Sequence, residues 1–245
     1  MFSFLLAMIY LSFISLGLPD ALLGAAWPSM YPLFGVPVSY MGIISMTISA
    51  CTVVSSLMAH RVINRFGTGK VTAFSTGMTG LAMMGFFLSG NFWILLLLAI
   101  PYGLGAGCVD AALNNYVAVH YESRHMSWLH CMWGVGASVG PYIMGYALTS
   151  GQGWNMGYCY VGILQLVLTV VLFISLPQWK QTGTGEEETH QKALSILQIM
   201  KIPGVKEIMV AFFCYCALEL TAGQWASSYF VMKDGIAPEK AASLA

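Results

Sequence analysis

Charged residues are scarce in this 245-residue sequence. Asp, Glu, Lys and Arg make up 8% of it, whereas hydrophobic residues make up 58%. Soluble domains contain about 25% charged residues, so the composition excludes an ordinary soluble domain. Ten basic and ten acidic residues give a formal net charge of zero. We therefore predict no nucleic-acid partner, because nucleic-acid binding requires a basic surface.

The cysteines and reactive side chains exclude further classes of protein. All six cysteines lie within hydrophobic runs, so the sequence predicts no disulfide framework. The pair Cys214-x-Cys216 lacks the spacing of a zinc site. The hydrophobic runs contain no evident nucleophile–base pair or metal-ligand cluster. We therefore predict that the protein is not an enzyme and uses no metal or cofactor.

Long hydrophobic runs are the main feature that is present. A helix crosses a bilayer with about 20 consecutive apolar residues. Seven runs approach or exceed that length: residues 3–27, 39–59, 70–89, 92–118, 125–149, 156–177 and 207–231. The first lacks the basic start of a signal peptide. The sequence predicts an all-α protein that spans the lipid bilayer of the plasma membrane.

The distribution of basic residues predicts the orientation of these spans. The loops at 28–38, 90–91 and 150–155 contain no Lys or Arg, whereas the alternate loops all contain at least one. Cytoplasmic loops carry an excess of Lys and Arg. We therefore predict a cytoplasmic N-terminus, with the loops at 60–70 and 178–206 also in the cytoplasm.

Loop lengths divide the chain into three parts. Short loops join the first six spans into a bundle over residues 1–177. A polar segment over 178–206 contains the charge run at 183–188 and is predicted to be a cytoplasmic loop. Residues 207–245 contain one further span.

Three acidic residues lie well inside the hydrophobic runs: Asp20, Asp110 and Glu219. A charged side chain at the centre of a membrane helix costs about 2.5–3.5 kcal/mol. A water-filled path, a partner group or a bound solute must offset that cost. The three acids therefore favour a transporter over a passive membrane domain.

The first and seventh spans carry a similar pattern around an acid. The two patterns are Phe13-x6-Asp20-x3-Gly24-x2-Trp27 and Phe212-x6-Glu219-x3-Gly223-x-Trp225. Repeats of six spans, with binding sites between the repeats, are a common construction of secondary transporters. The pattern places Asp20 and Glu219 at corresponding positions.

The loop between the second and third spans carries a family resemblance. Arg65, Gly67 and Lys70 match the pattern of the major facilitator superfamily, and the departures from it are His60, Asn64 and Gly69. The chain resembles that superfamily, and within it the fucose permease-like sugar–proton symporters. The resemblance implies a six-helix N-terminal bundle plus the first helix of a C-terminal bundle. It also implies that residues 1–245 alone carry out no coupled transport.

The resemblance also assigns roles to individual polar residues. Acids on the first and fourth helices handle sugar and protons in such transporters, and Asp20 and Asp110 occupy those helices. Asp110 and Asn114 share one helix face because they are four residues apart. His130 is interpreted either as a proton partner of Asp110 or as a packing residue.

Other polar and aromatic residues have two interpretations each. Trp133 either stacks on a sugar ring or packs in the core. Gln165 and Gln224 hydrogen-bond either a solute or a neighbouring helix. Glu219 is expected to contact solute, and Trp27 is interpreted as an anchor at the membrane interface.

Glycines in two spans predict close helix packing. Gly103 and Gly107 form a small-xxx-small pair. Gly136, Gly140 and Pro141 partly match the fifth-helix signature of drug–proton antiporters, and we interpret them mainly as close packing with a bend.

Three functions are compatible with these features of the sequence. The favoured one is a proton-coupled transporter of a small polar solute, a sugar, that works by alternating access and is monomeric. The alternatives are a drug–proton antiporter and a transport-inactive, truncated membrane protein.

Overall fold

A computed structural model of the protein describes residues 4–182 and 196–244. The elements are α1 (Phe4–Asp20), α2 (Leu22–Phe34), a 3-10 turn (Val38–Tyr40), α3 (Met41–Phe66), α4 (Thr68–Leu88), α5 (Phe92–His120), α6 (Ser123–Thr149), α7 (Trp154–Thr182), α8 (Ile196–Ile199), α9 (Val205–Asp234) and α10 (Pro238–Leu244). No strand occurs in the described residues, and the predicted all-α class is confirmed.

Within residues 4–182 and 196–244, five helical segments are long and apolar enough to cross a membrane, whereas seven spans were predicted. They are Phe4–Phe34, Val38–Phe66, Thr68–Leu88, Phe92–His120 and Trp154–Trp179. Helices α6 and α9 have lengths of 27 and 30 residues, but their composition is more polar. Helix α6 begins with Ser123, Arg124 and His125, and α9 carries Lys206 and Glu207 in its first turn.

The segment between the predicted bundle and the last span is partly described. Helix α7 continues past Pro177 to Thr182, and α9 begins at Val205. The charge run at 183–188 lies outside the described residues. The division at 177 and 206 stays a prediction.

The first span is broken at its acid. Helix α1 ends at Asp20, and α2 begins at Leu22 after the single residue Ala21. Pro19 has no main-chain N–H, so it cannot donate to the carbonyl of Ser15 one turn earlier. Asp20 is therefore the last residue of α1, and the interruption before α2 is limited to Ala21.

Helices α1 and α6 approach each other through glycines. A Cβ atom added at Gly17 would lie 2.1 Å from the main-chain oxygen of Trp133. A Cβ added at Gly136 would lie 2.1 Å from the oxygen of Ile14, and one at Gly140 would lie 2.3 Å from that of Leu18. Only hydrogen in place of a side chain permits this contact. Pro141 follows inside α6 and is buried.

Helices α3 and α5 pack in a similar way. A Cβ added at Gly103 would lie 2.5 Å from the oxygen of Ile48, and one at Gly107 would lie 2.5 Å from that of Thr52. The hydroxyl of Thr52 donates to the carbonyl of Gly103 at 3.2 Å. The small residues thus allow hydrogen bonds between the two helices.

Two apolar clusters lie along the first span. One surrounds Leu22 and Met30 of α2, and the other surrounds Ile9 and Phe13 of α1. Trp27 belongs to the first cluster, has an exposed fraction of 0%, and donates its indole N–H to the carbonyl of Val38 at 2.7 Å. The interface-anchor interpretation of Trp27 is therefore wrong, because a fully buried side chain does not reach the lipid headgroups.

The turn between α3 and α4 centres on Gly67. Its φ of +82° is a conformation that favours glycine, and its N–H donates to the carbonyl of Ile63 at 2.7 Å. The guanidinium of Arg65 lies 5.5 Å from the ring centroid of Phe66, and Lys70 is exposed. The side chain of Asn64 lies 3.1 Å from His60 Nε2.

Candidate functional site

Asp20 joins three helices through its carboxylate. The Tyr102 hydroxyl, from α5, donates to Asp20 Oδ1 at 2.7 Å. The Trp133 indole N–H, from α6, donates to Asp20 Oδ2 at 3.0 Å. Tyr102 belongs to the apolar cluster around α2, and Trp133 packs against the cluster around α1. Asp20 therefore lies where the two clusters meet, and it keeps an exposed surface.

Both donors of Asp20 are neutral. Within the described residues, the one ion pair joins Arg124 to Glu122 at 3.0 Å, and both side chains are exposed. No described cation therefore pairs with Asp20. A carboxylate that accepts one hydrogen bond on each oxygen has further lone pairs available. Such a group is able to accept hydrogen bonds from a solute.

Asp110 and Asn114 are brought together, as four-residue spacing on α5 predicts. Asn114 Nδ2 donates to Asp110 Oδ1 at 3.0 Å, and Asp110 is exposed. Asp110 also lies within electrostatic range of Asp20 and of His130. His130 is exposed, and its ring meets the ring of Phe13 edge to face at a centroid distance of 6.0 Å.

Glu219 and Gln224 lie on α9, and the main chain of Gln224 meets α2 at Gly24. The Tyr215 hydroxyl donates to Glu219 Oε1 at 3.0 Å within α9 itself. No described hydrogen bond or ion pair links Glu219 to Asp20 or Asp110. Helix α9 packs on α2 at Gly24, where an added Cβ would lie 2.6 Å from the oxygen of Gly223. The two glycines of the similar patterns therefore meet.

Tyr102 was not predicted as a site residue, and the hydrogen-bond partner of Gln165 was predicted only as either a solute or a neighbouring helix. Tyr102 is 82 residues from Asp20, so no local spacing indicates their contact. Gln165 donates through Nε2 to the carbonyl of Ser15 at 2.7 Å and is fully buried. It thus hydrogen-bonds a neighbouring helix. In the part of the chain that the structure describes, no group of three His, Cys, Asp or Glu side chains could hold a metal.

Comparisons with known proteins give first the fold and then the family. A crystal structure of a peptide transporter in complex with sulfate matches with a TM-score of 0.61 and 14% sequence identity. The match covers 95% of this chain and 47% of that structure, so the chain spans about half its length. No curated protein sequence matches significantly.

The family profile of the Major Facilitator Superfamily matches residues 9–245. The chain therefore belongs to the major facilitator superfamily. It is a multi-pass membrane protein of a transporter family, and the resemblance seen at Arg65, Gly67 and Lys70 is confirmed at the level of the superfamily.

Proposed function

We propose that the protein moves a small polar solute, a sugar, across the plasma membrane by alternating access, coupled to protons. The observation that carries the proposal is the carboxylate of Asp20, which is held at a helix break by Tyr102 and Trp133. The two neutral donors fix its position without neutralising its charge. Sugar hydroxyls are donors that match its free lone pairs.

The aromatic partner suits the same class of solute. Trp133 is half-buried, and its indole N–H is already bonded to Asp20. The ring is therefore held beside the carboxylate. An aromatic body with one polar end suits a solute that has both C–H and O–H groups. We assign contact with solute to Glu219 and Gln224 of α9 as well.

Proton coupling is assigned to Asp110. Its carboxyl is exposed, has the single described hydrogen bond from Asn114, and lies within electrostatic range of Asp20. A change in its protonation therefore acts on the group that binds solute. His130 lies within the same range and is proposed as the proton partner. Arg65, Gly67 and Lys70 are proposed to act in the conformational change.

Uptake of radiolabelled sugars into vesicles that contain the full-length protein tests this function. An imposed inward proton gradient is expected to drive accumulation, and a protonophore is expected to abolish it. Efflux of amphipathic cations under the opposite gradient would instead favour the drug–proton antiporter. Gly136 and Gly140 of the partial antiporter motif contact α1, as close packing of the two helices predicts.

A matched pair of tyrosine substitutions tests the role of Asp20. Tyr102→Phe removes a hydrogen bond to a carboxylate, and such bonds contribute about 1.5–3 kcal/mol. We expect solute affinity to fall by about tenfold or more. Tyr158→Phe is the control, because the buried Tyr158 hydroxyl has no described hydrogen-bond partner. Equal affinities of the two variants, measured by equilibrium binding of labelled sugar, would contradict the assignment.

The proposed orientation has its own test. In a cysteine-free background, Ser150→Cys is expected to react with an impermeant maleimide added outside intact cells. Arg61→Cys is expected to react only after the membrane is permeabilised. Both positions are exposed, so access to them depends on the side of the membrane. The opposite pattern would reverse the cytoplasmic assignment of the N-terminus.

A further inference from the structure

We infer that Gln165 is a positioning residue for Asp20: its side chain supplies the hydrogen bond that Pro19 removes from α1 and so fixes the helix end that carries the carboxylate. The role of Asp20 in solute binding rests on the proposed function. The positioning itself follows from the contacts of α1 and α7.

The carbonyl of Ser15 needs a donor from outside the main chain of α1. In an α-helix that carbonyl accepts from the N–H four residues later, and that position is Pro19. Proline has no N–H, and an unpaired carbonyl away from water is costly. Gln165 Nε2 donates to Ser15 O at 2.7 Å. The amide therefore takes the place of the missing main-chain donor.

Gln165 is firmly held between two helices. Its side chain is fully buried, and a Cβ added at Gly80 of α4 would lie 3.2 Å from Gln165 Cβ. The main chain of α4 thus confines Gln165 on one side, and α1 confines it on the other. The buried side chain and its short bond together set the height of α1 at Ser15 relative to α7.

The helix end that is fixed in this way carries the site. Asp20 directly follows Pro19 and is the last residue of α1. Its bonds to Tyr102 and Trp133 require the carboxylate to meet two other helices at once. A displacement of α1 that leaves α5 and α6 in place therefore lengthens at least one of them. Gln165 acts on the carboxylate through the main chain, without touching it.

The indole N–H of Trp133 reports this positioning directly. The measurement is the ¹H–¹⁵N NMR spectrum of ¹⁵N-labelled full-length protein in detergent micelles. The Trp133 indole signal is the one that disappears in Trp133→Phe. Asp20→Ala removes the carboxylate acceptor and shows where the Trp133 indole signal lies without that hydrogen bond. Gln165→Met keeps the length of the side chain and removes the donor. We expect its Trp133 signal to move most of the way to the Asp20→Ala position.

Two further variants separate positioning from general damage. Thr169→Val removes a buried hydroxyl one turn along α7. Among the described groups this hydroxyl bonds only the main-chain oxygen of Gln165. The variant should therefore leave the Trp133 signal in place. Pro19→Ala restores a main-chain donor to Ser15. The double variant Pro19→Ala/Gln165→Met should therefore return the signal towards its wild-type position.

The inference is overturned if the Trp133 signal of Gln165→Met stays at the wild-type position. It is also overturned if the double variant lies no closer to wild type than Gln165→Met. Should Gln165→Met not fold, the double variant is expected to fold, and its failure to do so equally counts against the inference. If the Trp133 signals move as expected but the wild-type protein takes up no sugar, the proposed function is rejected and this inference stands.

Discussion

Asp110→Asn is expected to abolish the accumulation of solute that a proton gradient drives, while exchange of solute across the membrane continues. Asparagine has nearly the shape of aspartate, and its side-chain oxygen can still accept the hydrogen bond from Asn114, which is 3.0 Å long in the protein. It cannot take up or release a proton. The substitution therefore removes proton transfer and keeps the packing of α5.

Two transport assays separate these effects. Accumulation under an imposed pH gradient should fall to the level of vesicles without the protein. Counterflow of labelled against unlabelled sugar should stay near the wild-type rate. Glu122→Gln is the matched control, because Glu122 is exposed and pairs with Arg124 at the surface, where such pairs contribute about 0–1 kcal/mol. Wild-type accumulation by Asp110→Asn would show that Asp110 has no coupling role.

The need of Asp20 for polar partners was predictable from the sequence, and the identity of those partners was not. A single sequence reveals an acid in a hydrophobic run, and such an acid must have a compensating environment. Its donors Tyr102 and Trp133 are 82 and 113 residues away. No periodicity within one helix specifies which residues of other helices meet it. The contacts depend on how three helices pack together.

Helix ends were the least predictable feature. The first hydrophobic run ends at 27, where Pro28 follows, and a tryptophan at that point is typical of a membrane interface. The helix instead continues through Pro28 and Pro32 to Phe34, which places Trp27 inside the core. The prediction took the end of the hydrophobic run as the end of the helix. The helix is longer than the run, because neither Pro28 nor Pro32 ends it.

The spacing of the glycines in α6 predicted close packing but not its partner. Residues four apart lie on one helix face, so Gly136 and Gly140 indicate a single contact surface. Gly134 of the same helix belongs to no such four-residue pair. Gly134 has no atom within 4 Å of an added Cβ, whereas Gly136 faces the main chain of α1. The structure therefore predicts that substitutions at Gly134 and Gly136 have opposite effects.

Gly136→Ala is expected to destabilise the protein. The added methyl group would lie 2.1 Å from the main-chain oxygen of Ile14, and main chain cannot rotate away as a side chain can. Overpacking of a tight contact costs about 1–3 kcal/mol, and occasionally more. The α1–α6 contact also sets Trp133 against Asp20. We therefore expect a lower unfolding temperature in detergent together with weaker sugar binding.

Gly134→Ala is the matched control on the same helix and should shift stability the other way. Alanine in a helix interior is favoured over glycine by about 0.5–1 kcal/mol, and at position 134 the methyl group meets no neighbour. Its unfolding temperature should equal or exceed that of the wild type. Because both variants add the same methyl group to α6, any difference between them comes from the contact with α1. Equal unfolding temperatures for the two variants would mean that α1 and α6 are not in close contact at Gly136.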